Sequence, residues 1–169
     1  MADPDRRGFL KALAGLFTAA LATAGAVPVL GTVLTPLFKR QPKPGGFLPA
    51  GQLDSFETGV PKRVELVSTL VDGWARSVGV VGAAWVLRKP DGSVSALSSV
   101  CPHSACSIGL KTKQSYGCPC HDSAFAFDGT PQSGPSPRAM DPLDVQVKDG
   151  KVYVKWARFK VGVKERHEL

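Results

Sequence analysis

"CPHSACSIGLKTKQSYGCPCH", Cys101 to His121, holds all four cysteines of the 169-residue chain and two of its three histidines. Residues of metal-binding type are therefore concentrated in one short stretch. Within it the pattern is Cys101-x-His103, fourteen intervening residues, and then Cys118-x-x-His121. Two thiolates and two imidazoles can hold a tetrahedral zinc ion. Four cysteines can also pair as a disulfide framework with the histidines incidental. Neither reading uses the whole pattern. Each Cys/His pair carries an extra cysteine, Cys106 or Cys120, and a proline, Pro102 or Pro119, follows Cys101 and Cys118 directly.

Outward from this stretch the chain reads as short strands. Eighteen glycines and fourteen prolines predict many turns. Arg63 to Leu66 alternates. Ala84–Leu87 and Ser93–Leu97 flank the turn signal Pro90-Asp91-Gly92, and Leu143–Lys148 and Lys151–Trp156 flank Asp149-Gly150. Each pair predicts a hairpin. No amphipathic helix is evident beyond residue 40, apart from a possible turn near Asp72–Arg76. The expected fold is an all-β head of antiparallel sheets at 53–169, with the cysteine segment inserted as loops at about 98–138.

The N-terminus is of a different kind. Residues 12–38 form an apolar run without a charge, longer than the ~20 residues that cross a bilayer as a helix. Pro28 and Pro36 are expected to kink or end that helix. Residues 1–11 carry Arg6-Arg7 ahead of Phe9, Leu10 and Lys11, and resemble a twin-arginine export signal. Cleavage at Ala24-Gly25-Ala26 is the alternative to a retained anchor. Lysines and arginines flank both ends of the run, so the arginine pair decides orientation: N-terminus in the cytoplasm, head exported. Residues 39–52, rich in Pro and Gly, read as a hinge linker that holds neither a long helix nor a central strand.

Charge is consistent with this division. Of the net +7, residues 1–50 contribute six Lys/Arg against two Asp/Glu, and the remainder fifteen against twelve. The excess is membrane-proximal, and no basic stripe interleaved with aromatics suggests a nucleic-acid face.

The Cys101–His121 segment resembles the Rieske [2Fe–2S] proteins. The resemblance implies a cluster with Cys101, His103, Cys118 and His121 as ligands, thiolates on one iron and imidazoles on the other. It also implies a disulfide between Cys106 and Cys120, as in the members that oxidise quinol. "SGPSPR", Ser133–Arg138, is similar to the Gly-Pro-x-Pro loop that covers the cluster in that branch.

The function so implied is that of the Rieske subunit of a bacterial quinol–cytochrome c reductase. Its expected partners are a cytochrome b subunit with the quinol pocket, a c-type cytochrome acceptor and the lipid of the inner membrane, in a dimeric complex with the head on the periplasmic side. His103 and His121 are both candidates to meet the quinol and accept its proton. Two rivals are the small Rieske subunit of an arsenite oxidase and a zinc-stabilised, non-catalytic module.

Several positions depart from the family pattern. Ser123 is expected to donate to a cluster sulfide, but Phe125 stands where high-potential members have tyrosine, and a donor is lost. Asp122 stands beside His121 where glycine is usual. Both changes predict a lowered potential suited to menaquinol. Ser104-Ala105 replaces a bulky residue and glycine, and Ser107–Gly117 is slightly short. His167, in "KERHEL", reads as solvated. Stiffening or shortening residues 41–46 is expected to slow turnover while leaving the cluster spectrum unchanged, which parallel kinetic and EPR measurements check.

Overall fold

The computed structural model describes residues 4–38, 46–72 and 75–169. They fall into two units, one within 1–41 and one within 42–169. The first unit is a single α-helix, α1, Pro4–Phe38. It begins earlier than the sequence reading places it, and it continues through Pro28 and Pro36 instead of breaking there. Membrane helices accommodate the lost backbone bond of proline more readily than soluble ones. The stretch Asp5–Leu34 is long and apolar enough to cross a bilayer. Three of its threonines bond back onto the helix: Thr18 donates to Ala14 O at 2.8 Å, Thr23 to Ala20 O at 2.9 Å and Thr32 to Val29 O at 2.9 Å. Such back-bonding hides hydroxyls that would be costly in lipid.

In the second unit every pair of strands is antiparallel, as expected, and a short 3-10 turn at Leu53–Ser55 is its one helical element among the described residues. Its strands are β1 (Phe47–Gln52), β2 (Lys62–Asp72), β3 (Ala75–Arg88), β4 (Val94–Ser98), β5 (Gly109–Thr112), β6 (Ser115–Gly117), β7 (Ala124–Ala126), β8 (Pro131–Ser133), β9 (Pro142–Leu143), β10 (Val145–Lys148) and β11 (Lys151–Lys155). They form three sheets, in the orders β1-β11-β10, β2-β3-β4-β9 and β5-β6-β7-β8. The chain leaves the second sheet after β4 and returns to it at β9. The intervening residues build the third sheet, which carries the cysteine segment.

Both predicted tight turns form. At Lys89–Ser93 the strands close on Lys89 N–H to Ser93 O at 2.8 Å, with Gly92 at φ +82. At Asp149-Gly150 both residues have positive φ, +50 and +71, the backbone that a two-residue hairpin of right-handed twist requires.

Two segments differ from the sequence reading. Residues 47–52 were expected in the linker but form β1, which pairs with β11. Proline is admitted because β1 is an edge strand, where a missing N–H costs no ladder bond, and the register shifts between Pro49 and Gly51. The rest of the expected linker, 39–45, lies outside the described residues. The segment near Asp72–Arg76, read as a possible turn of helix, is the far end of a hairpin: β2 pairs β3 from Lys62↔Val86 out to Asp72↔Ala75. Gly73 and Trp74 lie outside the described residues.

Two apolar cores share the β3–β4 pair. Ala84, Val86 and Ala96 join Phe56, Val64, Leu66, Leu143, Val152, Val154 and Trp156 in one core. Trp85 and Leu97, which alternate with them, join Cys101, Ile108, Tyr116, Cys118, Phe125 and Met140 in the other. Successive strand residues point to opposite faces, so a strand buried on both faces reads as a continuous apolar run. Gly82 lets the sandwich close: a Cβ there would lie 2.2 Å from the Trp156 indole. Gly82→Ala is expected to destabilise the head by about 1–3 kcal/mol through overpacking, measurable by chemical denaturation of the head.

Candidate metal centre

The third sheet presents two loops. Loop one follows β4 and contains Cys101, His103 and Cys106. Loop two joins β6 to β7 and contains Cys118, Cys120 and His121. Each is closed by its own backbone. Cys101 N–H donates to Cys106 O at 2.8 Å and Ala105 N–H to Cys101 O at 3.0 Å, while Cys118 N–H reaches across its turn to Ser123 O at 2.8 Å. Loop one is tied to the large sheet by Ile108 N–H to Ser99 O at 2.7 Å and by the buried Trp85 Nε1–H to Ile108 O at 3.0 Å.

Tight closure needs left-handed backbone, and two residues other than glycine supply it here: Ala105 at φ +61 and Asp122 at φ +56. These are the two positions where the family pattern expects glycine. A side chain in this region costs roughly 1–2 kcal/mol, less for aspartate, whose short polar side chain bonds locally.

A disulfide joins the loops, Cys106 to Cys120, fourteen positions apart. The other two cysteines are free and buried. Burial pushes the Cys101 thiol pKa up, and the adjacent Cys118 thiol pushes the same way. Cys106, Cys118 and Cys120 have their sulfurs within 4.8 Å of one another, but the disulfide leaves only Cys118 of the three as a ligand. The rings of His103 and His121 meet edge to face with centroids 4.8 Å apart. His103 is half-buried, with Ser104 Oγ 3.1 Å from its Nδ1, and His121 is exposed. The loops thus bring together two thiols on the inside and two imidazoles on the outside.

The surroundings fit a group that accepts hydrogen bonds. Among the described residues, two buried side-chain oxygens have no partner, Ser123 Oγ and Tyr116 Oη. Buried hydroxyls are seldom left so. Tyr116 packs against Trp85 and Phe127, with ring centroids 5.1 Å away in each case, and burial pushes its phenol pKa up. Phe125 is fully buried and directly opposite Tyr116 across the strands. Ser133–Arg138 leans on loop two so closely that a Cβ on Gly134 (φ +89) would lie 2.4 Å from Ser123 Cα.

Two residues of this neighbourhood escaped the sequence reading: Tyr116 is defined by contacts between loops, and Gly162 lies beyond any motif. Gly134 and Arg138 belong to the Ser133–Arg138 loop that the sequence marks, but the pairing of Arg138 with Asp141 three residues on is seen only in the structure.

A sequence profile of the Rieske [2Fe-2S] domain matches residues 60–154. The chain is 35% identical over 102 residues to the menaquinol:cytochrome c reductase iron–sulfur subunit of Geobacillus thermodenitrificans, covering 57% of this chain and 60% of that one. It is 29% identical over 157 residues to the subunit of the same name from Bacillus subtilis, covering 90% and 92%. Among solved structures it is similar to a naphthalene 1,2-dioxygenase with indole bound in its active site. That likeness has 16% identity and a TM-score of 0.50 over 66% of this chain and 26% of that one, and concerns the fold alone.

Relieving the left-handed alanine provides a direct check on the loop geometry. Ala105→Gly is expected to raise stability by about 1 kcal/mol, seen as an upward shift of the thermal midpoint by a few degrees.

Proposed function

Because the chain belongs to the Rieske [2Fe–2S] family, we propose that it is the iron–sulfur subunit of a membrane-bound quinol–cytochrome c reductase, anchored by one helix. The observation that carries this reading is the 157-residue alignment with the Bacillus subtilis subunit, too long to be contained in the 60–154 domain match. The similarity therefore extends to the segment that supplies the anchor. The family brings with it a [2Fe–2S] cluster, which supplies a one-electron acceptor at about −150 to +300 mV, raised by neutral imidazole ligands.

On this reading Cys101 and Cys118 hold the cluster from the buried side, and His103 and His121 hold it from the surface. The hydroxyl of Ser123, buried without a partner, would be available to donate to it. His121, the more exposed of the two rings, takes a hydrogen bond from the quinol hydroxyl and receives its proton, with His103 against its edge. The disulfide fastens loop two to loop one, and the Gly134 loop lies close against Ser123, while His121 stays exposed. A cytochrome b subunit completes the quinol pocket, and a c-type cytochrome takes the electron onward. Arg6-Arg7 orient the anchor with its N-terminus in the cytoplasm and the head on the outer face.

Two local features favour menaquinol as the donor. Phe125 offers no hydroxyl to the cluster, and the Asp122 carboxylate stands next to His121; both make reduction harder. Asp122→Gly is expected to raise the midpoint potential in a redox titration followed by EPR. An unaltered protein already near the top of the family's range would refute the menaquinol assignment. The whole reading is tested in membranes reduced with ascorbate: the Rieske EPR line should change shape when a quinol-site inhibitor is added. A line indifferent to the inhibitor refutes docking at a quinol pocket.

A further inference from the structure

Thirteen residues follow Trp156, "ARFKVGVKERHEL", and of these the sequence marks only "KERHEL" as a charged tail. In the structure they fold back on themselves. Leu169 N–H donates to Arg158 O and Lys160 N–H to His167 O, both at 2.9 Å, and Phe159 bridges Glu168. His167 contributes its carbonyl to this reversal and keeps its side chain exposed. The turn contains Gly162 at φ +75, a backbone that side chains resist.

The turn does not hang free. Gly162 N–H donates to Pro102 O at 2.8 Å, and Pro102 sits between Cys101 and His103. The approach is close enough that a Cβ on Gly162 would touch His103 O at 3.8 Å. The next residue is held as well: Val163 O accepts from Arg138 Nη1 at 2.7 Å. Arg138 closes the proline loop, and its remaining donors form a fork on Asp141, Nε to Oδ1 at 2.9 Å and Nη2 to Oδ2 at 2.8 Å. Both side chains are almost wholly buried, 9% and 4% exposed. Asp141 O in turn accepts Ser98 N–H at 2.8 Å at the end of β4. A planar, permanently charged fork with five donors is the group suited to joining a carboxylate and a carbonyl at once.

We propose that this C-terminal hairpin, Arg158–Leu169, is a brace for loop one, and that Arg138 and Gly162 are positioning residues for His103. The disulfide restrains loop one through Cys106. The brace restrains it from the other side, at the residue before His103. Between the two anchors the imidazole has one orientation. Without the brace, Pro102–Ala105 keeps its internal bonds, the disulfide and the contact of the His103 ring with His121, but loses its one backbone bond to the C-terminal hairpin. The proposal rests on the assignment of His103 to the cluster.

The test uses the full chain in its membrane. Four variants are compared with the unaltered protein: Arg138→Gln, Arg138→Lys, a chain ending after Arg158, and Lys164→Ala at an exposed residue of the tail. The truncated chain removes the Gly162 and Val163 contacts but keeps the Arg138–Asp141 pair, so the buried charge remains matched if Arg138→Gln fails to fold. Cluster content, EPR line shape, midpoint potential and thermal midpoint are read together. Truncation and Arg138→Gln should shift the EPR line and the potential in the same direction at unchanged cluster content per folded protein. Lys164→Ala should leave both alone. Arg138→Lys, which keeps the charge but loses the fork, should recover only part of the shift. Truncation that lowers the thermal midpoint while line and potential stay as in the unaltered protein would overturn the brace as a positioning device. Absence of a Rieske signal from the unaltered protein would overturn the cluster assignment on which it stands.

Discussion

The β3–β4 pair is buried on both faces, and the rest of the head is arranged around that fact. Ala84, Val86 and Ala96 look into the sandwich core, while Trp85 and Leu97 look into the core beneath the cysteine loops. Neither layer could slide without exposing the other, because a one-residue slip in register exchanges the two faces. Trp85 serves both purposes at once. Its ring packs on Tyr116, and its indole N–H is spent on Ile108 O. The small sheet is thereby docked on a surface that the large sheet has already made rigid, and loops of little internal structure acquire a fixed base.

On that base the chemistry is sorted by depth. The free thiols are buried, the imidazoles reach the surface, and a disulfide fastens one loop to the other. Rigidity here does not come from regular structure. It comes from closed turns at Cys101–Ala105 and Cys118–Ser123, from Gly134 pressed on Ser123, and from the fork of Arg138 on Asp141 and Val163 O. Ala105 and Asp122 hold left-handed backbone where glycine would be free of strain, and local strain of this kind persists only where the surroundings over-determine it.

Much of this was legible from local sequence. Alternation with Asp-Gly turns marked both short hairpins, and the uninterrupted apolar run marked α1. The expectation failed where a tertiary partner overrode a local preference. The Pro/Gly-rich stretch was read as linker unable to hold a central strand, and 47–52 form an edge strand, where Pro49 is admitted. Pro28 and Pro36 were expected to kink or end the helix, and the helix does not end at either. The long β2–β3 hairpin was missed beyond Leu66 because its outer part is a two-stranded ribbon with exposed Val67, Val78 and Val80, and no buried face to imprint alternation. The terminal hairpin left no trace, since what holds it is backbone N–H and C=O, which every residue carries.

The sequence by itself determined the donor types and their spacing, because side-chain chemistry belongs to residue identity; which two cysteines pair was implied by the family resemblance and is seen in the structure. It determined the apolar segment for the same reason. Only the tertiary structure decided which imidazole is the more exposed, that Ser123 and Tyr116 keep unpartnered hydroxyls in the interior, and that the C-terminus returns to Pro102. Exposure, orphaned donors and long-range backbone bonds are relations between segments far apart in the chain, and they come into being only when the sheets pack.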